Sequence, residues 1–303
     1  MGKDNCSTAC FIFCERRSSK GLHLRYTSWA MLGIFDSGVG GLNVLTAIRS
    51  LMPDLQMTYF GDNARAPYGN RSREAITAFT KECCSFLFDQ GCTLIILACN
   101  TASAGTLRTL QQEWLPTLRT ERRKEVNILG VIRPLSEIAI ECTRNGCIGA
   151  VGTRSTVFSG AYLEELSALH PNVRVVQQAC PLLVPLVEEG WVDKPETRKI
   201  LRTYLATIKT QNPDVLILGC THYEAMHRLF QRKMGRRCRV LHTPTIVAEK
   251  LQSYLLRHPE YVIPKTGQIR FCTTGDPEHF RLVGSMFFPE EMSHIEKIVL
   301  SAS

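Results

Sequence analysis

Two apolar segments of the chain match each other, and each leads into a cysteine. Residues 94–101 read LIILACNT and residues 215–222 read VLILGCTH, so the cysteines are Cys99 and Cys220. A short, wholly apolar run is typical of a parallel strand that is buried on both faces. The polar residues after each cysteine indicate the carboxyl edge of a sheet, where open α/β sheets bind ligands. The pattern therefore predicts an α/β fold with a thiol at each of two corresponding strand ends.

The match between the two halves extends upstream of the cysteines. Residues 33–38 and 149–154 are short apolar runs that end in small and hydroxyl residues, and the spacing from Asp36 to Cys99 is 63 residues against 68 from Gly152 to Cys220. We infer two related units, each contributing a loop and a cysteine. A single buried cysteine is usually just a small hydrophobic residue. Two in matching positions favour a two-cysteine site in a cleft between pseudo-symmetric units.

The order of predicted elements gives the architecture. Strands alternate with helices after Met31, which predicts two doubly wound parallel-sheet domains of the α/β class. We assign residues 31–123 and 243–303 to the first domain and residues 124–242 to the second. Residues 1–30 lack periodicity, and we interpret them as a disordered extension or as sequence upstream of a true start at Met31.

Composition limits the compartment and the partners. The 303 residues contain no apolar run of 18, which argues against a membrane span. The 13 cysteines are an odd number scattered through predicted helices and strands, so a disulfide framework is not indicated and a reducing cytoplasm fits best. The net charge is +8, but the chain has no basic stripe interleaved with aromatic residues, which argues against nucleic acid as a partner.

The glycine-rich loop at residues 36–41, DSGVGG, suggests an anion site. It follows a predicted strand, as the loop of a dinucleotide-binding fold does, but Asn43 stands where the third glycine of that fingerprint belongs, and the chain lacks the Gly-Lys-Ser/Thr of a P-loop. Glycine allows backbone N–H groups to approach a small ligand closely. A carboxylate therefore fits this loop better than a nucleotide.

Six motifs in order resemble the glutamate racemases of the aspartate/glutamate racemase superfamily. The resemblance covers about residues 32–243, and the motifs are DSGVGGL at 36–42, GDNARAPYG at 61–69, ACNTAS at 98–103, GTRST at 152–156, CPLLVPLVEEG at 180–190 and GCTHY at 219–223. It implies an isomerase that interconverts L- and D-glutamate without cofactor or metal. It also implies a cytoplasmic role in peptidoglycan synthesis, and thus in cell-wall biogenesis and cell shape.

Racemisation explains why two thiols are needed. One group must remove the α-proton while another delivers a proton to the opposite face of the α-carbon. By resemblance, Cys99 and Cys220 are these two bases, and Asp36 and His222 assist them. The resemblance further implies substrate contacts from Asp36, Ser37, Tyr68, Gly69, Asn100, Thr101, Thr221 and His222. Weaker candidates are Glu188, which would orient His222, and Thr153 and Thr156.

Three positions depart from the family pattern, so functions other than glutamate racemisation stay open. Glu224 stands where proline is common, Asn43 replaces a hydroxyl residue, and Arg133 lies in a normally uncharged stretch. Arg133 and Glu224 are expected to alter helix starts that border the cleft, which affects substrate choice or turnover. The alternatives are a racemase of aspartate, a hydantoin or an arylmalonate, or a binding protein such as an inhibitor of DNA gyrase. A homodimer is one assembly that the resemblance allows.

Overall fold

The computed structural model describes residues 31–121 and 126–300, so the extension predicted for residues 1–30 lies outside the described residues. The strands within these ranges are β1 (Met31–Asp36), β2 (Met57–Gly61), β3 (Cys92–Leu97), β4 (Asn127–Gly130), β5 (Cys147–Gly152), β6 (Arg174–Ala179), β7 (Val215–Gly219), β8 (Arg239–Val240), β9 (Ile269–Thr273) and β10 (Ile295–Lys297). Each central strand is a branched apolar run bounded by turn residues, as expected for strands buried on both faces.

Helices connect most of the strands. They are α1 (Leu42–Leu51), α2 (Arg73–Asp89), α3 (Asn100–Thr109), α4 (Leu115–Glu121), α5 (Ile132–Cys142), α6 (Arg154–Phe158), α7 (Ala161–Leu169), α8 (Leu183–Glu188), α9 (Pro195–Thr210), α10 (His227–Met234), α11 (Thr243–Arg257) and α12 (Pro277–Gly284). Short 3-10 turns occupy Asn63–Arg65, Tyr68–Asn70 and Thr221–Met226, and a π-helical turn occupies Leu110–Trp114. Within the described ranges, the helices are too short or too polar to cross a bilayer.

The strands form two parallel sheets with a repeated order. The first sheet has the order β10-β9-β2-β1-β3-β4 and the second has the order β6-β5-β7-β8. The four strands β2-β1-β3-β4 therefore correspond to β6-β5-β7-β8, which confirms the predicted α/β class and its internal repeat. In both sheets the cysteine strand, β3 or β7, lies directly beside the strand that opens the unit, β1 or β5.

Strand pairing shows which segments of the chain belong to the first sheet. Strand β4 pairs with β3 in the first sheet, whereas the predicted boundary at residue 124 assigned this segment to the second domain. Strands β9 and β10 also join the first sheet, at the edge beside β2. The division of the chain into domains stays a prediction.

Helix α11 joins the two units. It packs against α1, which follows the first strand of the first sheet, and against α5, which precedes the first strand of the second. Buried residues of both sheets and of helices α1 and α11 form one continuous apolar cluster, including Leu32, Leu45, Leu216 and Val247. Burial of this shared cluster holds the carboxyl edges of the two sheets close together, because its apolar surface would otherwise be exposed to water.

Candidate active site

The carboxyl ends of the two sheets meet at an enclosed cavity of about 30 Å³. Its walls are Ser37, Gly38, Ala66, Pro67, Tyr68, Gly69, Cys99, Asn100, Thr101, Thr153, Val184, Glu188, Cys220, Thr221 and His222. A volume of this size holds one or a few water molecules and not an amino acid.

Cys99 lies at the N-terminus of helix α3 and is 4% exposed. Its Sγ accepts from the backbone N–H of Ala102 at 3.5 Å and donates to Oγ of Ser37 at 3.4 Å. Burial, with a further contribution from the charge of Asp36, raises the pKa of the Cys99 thiol to about 12, although the Ser37 and Ala102 hydrogen bonds oppose the shift. Cys99 is therefore a thiol near neutral pH, so it is poised to give a proton.

Cys220 follows β7 and faces the same cavity from the second sheet. It is 7% exposed and is followed at once by the 3-10 turn Thr221–Met226; we call Cys220 and this turn the Cys220 turn. His222 lies in the turn, and its Nε2 is 3.1 Å from Oε1 of Glu188 on α8. Burial lowers the pKa of His222, but hydrogen bonds to Cys220 and Glu188 outweigh burial and raise it to about 10. The imidazole of His222 therefore carries its proton beside Cys220 near neutral pH.

Asp36 lies behind the cavity wall and not in it. Its side chain is fully buried at the end of β1, where Oδ2 accepts from the backbone N–H of Gly38 at 3.0 Å and Oδ1 accepts from the Thr221 hydroxyl at 3.3 Å. Burial raises the pKa of Asp36, and the charge of His222 acts in the opposite direction. The carboxylate thus connects the glycine-rich loop of the first unit to the Cys220 turn.

Polar side chains of both units lie around the two cysteines. Asn100 Oδ1 accepts from the Tyr162 hydroxyl at 2.7 Å, while its buried Nδ2 has no hydrogen-bond partner among the described residues. The hydroxyl of Thr101 is 3.0 Å from that of Thr153 and 3.2 Å from that of Thr156. A buried amide donor beside small hydroxyls suits a carboxylate, which accepts hydrogen bonds and does not donate them.

The loop of residues 61–70 covers the cavity from the first unit. The Tyr68 hydroxyl donates to the fully buried carboxylate of Asp62, which also accepts from Arg65 Nε at 2.7 Å. A Cβ on Gly69 would lie 2.7 Å from Thr153 Cβ, and the Gly69 carbonyl accepts from Ser155 Oγ at 3.0 Å. Only glycine allows the loop to approach the second unit this closely.

The structure places most of the predicted site residues together, and it adds others. All of the predicted residues except Asp36 and Thr156 line the cavity, and these two contact residues that do. Val184, an apolar wall residue on α8, had no predicted role, and Asn43 was interpreted only as a residue that departs from the dinucleotide and family patterns. Asn43 Nδ2 donates to the backbone carbonyl of Thr221 at 2.7 Å, a contact between segments far apart in the chain that no local pattern signals.

The other two positions that depart from the family pattern, Glu224 and Arg133, make different kinds of contact. Glu224 Oε1 accepts from the backbone N–H of Thr243, the first residue of α11, at 2.9 Å, so this departure does act at a helix start. Arg133 lies in the first turn of α5 and pairs with Glu137 at 2.8 Å and with Glu165 at 2.6 Å. Because Arg133 is more than half exposed and is absent from the cavity wall, its pairs stabilise the surface by at most about 1 kcal/mol.

Comparisons with known proteins agree with this geometry. The profile of the Asp/Glu/Hydantoin racemase family matches residues 43–251. Glutamate racemase of Geobacter metallireducens is 38% identical over 278 residues, which are 90% of this chain and 98% of that protein. A glutamate racemase isoform from Bacillus anthracis superposes with a TM-score of 0.83 at 30% identity, covering 90% of this chain and 98% of that one. Glutamate racemase of Francisella tularensis, solved in complex with D-glutamate, superposes with a TM-score of 0.80 at 31% identity, covering 89% and 98%.

The family match includes both cysteine strands, and each of these relatives covers about nine tenths of the chain. They confirm the resemblance drawn from the six motifs and the class of enzyme that it implied. The chain therefore belongs to the Asp/Glu/Hydantoin racemase family, as an isomerase similar along nearly its whole length to the glutamate racemases.

Proposed function

We propose that this protein interconverts L- and D-glutamate without a cofactor, with Cys99 and Cys220 as the two bases. The observation that carries the proposal is that both thiols line one enclosed cavity from corresponding strand ends of the two sheets. A planar carbanion held between them has one thiol on each face, as proton removal and delivery on opposite faces require. Glutamate is the substrate named for the relatives, and the Francisella protein was solved with D-glutamate bound.

The reaction is a pair of proton transfers. The thiolate of one cysteine takes the α-proton, and the C–H electron pair remains on the α-carbon and spreads into the substrate carboxylate. The thiol of the other cysteine then donates its proton to the opposite face and becomes the thiolate. No electrons are gained or lost, and the enzyme returns to its first state when the reverse reaction or proton exchange reverses the two roles.

Buried donors supply the stabilisation that a cofactor would otherwise provide. Charge that develops on the substrate carboxylate is stabilised by donors already in place, among which Asn100 Nδ2 is free and buried. The backbone N–H groups at the start of α3 point to the same region, because the first turn of a helix leaves its donors unpaired. These groups favour the carbanion over the neutral substrate, which is the requirement for catalysis.

His222 and Asp36 set the charges around the two thiols. Glu188 keeps His222 protonated beside Cys220. Burial and the charge of Asp36 raise the pKa of Cys99 and favour its thiol. In this scheme Cys99 gives a proton and Cys220 is the base on the opposite face. D-glutamate made in this way supplies peptidoglycan synthesis in the cytoplasm.

Exchange of the α-hydrogen tests the reaction directly. The protein is incubated with L-glutamate in D₂O without added cofactor, and loss of the α-proton signal is followed by NMR while D-glutamate is measured by chiral chromatography. Both signals are expected. Exchange without D-glutamate would mean a single working base, and absence of both signals would reject glutamate; aspartate and hydantoins are then assayed in the same way.

Removal of each thiol tests the two-base assignment. Cys99→Ala and Cys220→Ala are each expected to lose racemisation, since either variant lacks a group on one face of the α-carbon. Cys238→Ala is the matched control, because Cys238 is also buried but lies before β8 and outside the cavity wall. Retained racemisation in either of the first two variants would refute the assignment.

A further inference from the structure

Asn43 ties the first unit to the backbone of the Cys220 turn. It lies in the first turn of α1, directly after the glycine-rich loop, and its Nδ2 donates to the Thr221 carbonyl at 2.7 Å. The bond joins two segments separated by 178 residues. It also fixes the peptide between Thr221 and His222, which lies next to Cys220. The position of this turn relative to the first unit therefore depends on Asn43.

Glu224 connects the same turn to helix α11. Its side chain is 4% exposed, and Oε1 accepts from the Thr243 N–H at the N-terminus of α11. Burial raises the pKa of Glu224 to about 7, while the hydrogen bond from Thr243 and the helix dipole favour its carboxylate, which satisfies a backbone donor that the helix leaves free. Because α11 packs against α1, Asn43 and Glu224 fix the turn between two helices that contact each other.

Cys99, on the other side of the cavity, is held by a separate set of contacts. Cys99 is held by the first turn of α3 and by Ser37, and neither Asn43 nor Glu224 is bonded to those groups within the described residues. The two contacts therefore act directly on the turn that carries Cys220, and they reach Cys99 only indirectly, through the Thr221 hydroxyl and Asp36.

We propose that Asn43 and Glu224 are positioning residues that set the approach of Cys220 to the α-carbon, so that they govern proton transfer on one face of the substrate. The inference rests on the proposed two-cysteine reaction. A shift of the turn changes the distance between Cys220 and the α-proton, and proton transfer is sensitive to sub-ångström changes in geometry. Proton transfer at Cys99 keeps its geometry in the same variants.

The test uses a reaction that needs one base at a time. In 3-chloroglutamate, a thiolate removes the α-proton, the C–H electron pair forms the Cα–Cβ double bond and chloride leaves; water then converts the enamine product into 2-oxoglutarate and ammonium. The L- and D-forms present their α-protons to opposite faces, so each requires one cysteine. Cys99→Ala and Cys220→Ala first show which form requires which thiol, and failure at this stage would reject the two-base function itself.

Asn43→Ala and Glu224→Ala are then measured with both forms of the substrate. Elimination from the form that requires Cys220 is expected to fall by about tenfold, while elimination from the other form stays within about twofold. Glu224→Gln keeps an acceptor for the Thr243 N–H and is expected to restore the rate. Asn145→Ala is the matched control, because Asn145 also donates from Nδ2 to a backbone carbonyl, that of Asn212 at 3.0 Å, but precedes β5 away from the cavity.

Two outcomes would overturn the inference while the two-base function stands. Equal losses with both forms would show that the contacts stabilise the whole cavity and not the Cys220 turn. Unchanged rates with both forms, in variants that remain folded by circular dichroism, would show that the turn keeps its position without them.

Discussion

Nε2 of His222 lies 3.1 Å from Oε1 of Glu188, and this pair joins the Cys220 turn to helix α8. The histidine is 5% exposed, whereas the side chain of the glutamate is 38% exposed. A histidine this deeply buried would normally lose its proton, because burial disfavours the charged form. The carboxylate and Cys220 reverse that preference and hold the pKa of His222 at about 10.

Glu188→Gln is expected to lower the pKa of His222, because it removes the charge that favours the protonated ring. The basic limb of the pH profile of kcat/KM is expected to move to lower pH by about one unit. Glu189→Gln, at the exposed neighbouring position, is the control and should leave the profile unchanged. An unshifted basic limb in Glu188→Gln would contradict the role of this pair.

The same shift predicts how stability depends on pH. The pKa of His222 in the folded protein lies above its ordinary value of 6.5, so its stabilisation is fully present below about pH 6.5 and is lost as the pH rises through about 10. The difference in the free energy of unfolding between the wild type and Glu188→Gln should therefore be largest in the acidic part of this range. Urea unfolding across the range measures it, and a difference that grows with pH would contradict the assignment.

The rate at which the Cys99 thiol is alkylated should depend on the charge of Asp36. Asp36→Asn removes a negative charge that raises the pKa of Cys99, so a larger fraction of this thiol becomes thiolate near pH 8. The rate of alkylation of Cys99 by iodoacetamide, followed by mass spectrometry of the peptides, is expected to rise by about tenfold for each unit by which the pKa falls. Cys238 is the internal control, because burial raises its pKa to about 12 independently of Asp36. Equal rates for Cys99 in both proteins would refute the effect.

The sequence alone predicted much of this arrangement, because strand ends are a local property. The apolar runs before Cys99 and Cys220 end where β3 and β7 end, and the carboxyl edges of parallel strands are where the following side chains meet. The glycine-rich loop likewise lies at the end of β1. For these residues, short-range pattern and parallel topology together were sufficient to predict a shared site.

Contacts between side chains of distant segments could not be predicted from local sequence patterns. The Asn43 bond to Thr221 and the Tyr162 bond to Asn100 depend on how the two sheets pack, and neither residue type indicates its partner. Asp36 lies behind the cavity wall, where it accepts hydrogen bonds from Gly38 and Thr221, and its contact with substrate stays a prediction. Packing decides which polar side chains reach the cavity and which support it.

Thr153 combines a stabilising role with contacts at the cavity. Its hydroxyl accepts from the Thr156 N–H at the start of α6 and contacts the Thr101 hydroxyl. Thr153→Ala is expected to lower the free energy of unfolding by about 1 kcal/mol through loss of the cap. It should also raise KM for glutamate by about fivefold, which corresponds to one hydrogen bond of about 1 kcal/mol.

Asp276→Ala is the matched control for Thr153. Asp276 caps α12 by accepting from the His279 N–H at 2.8 Å and is absent from the cavity wall. This variant should lose about the same stability in urea unfolding, also about 1 kcal/mol, with KM unchanged. A KM that rises equally in both variants would show that the loss of stability, and not the hydroxyl, weakens binding.

Gly40 is the point at which the glycine-rich loop touches the Cys220 turn. A Cβ at this position would overlap the Thr221 hydroxyl and lie 2.6 Å from Nδ1 of His222. Real Cβ atoms do not approach so closely, so Gly40→Ala must displace the turn, and with it both Cys220 and His222. We expect kcat/KM for racemisation to fall by about 100-fold, because a displacement of about 1 Å from the productive geometry costs that much.

Gly105→Ala separates this steric effect from a general intolerance of added methyl groups. Gly105 lies inside α3, downstream of Cys99, and a Cβ there would have no heavy atom within 4 Å among the described residues. Alanine in a helix interior is favoured over glycine by about 0.5–1 kcal/mol, so this variant should unfold at higher urea concentration with unchanged kcat/KM. Activity retained in Gly40→Ala would mean that the Cys220 turn moves without cost, and the proposed dependence of the reaction on His222 would then fail with it.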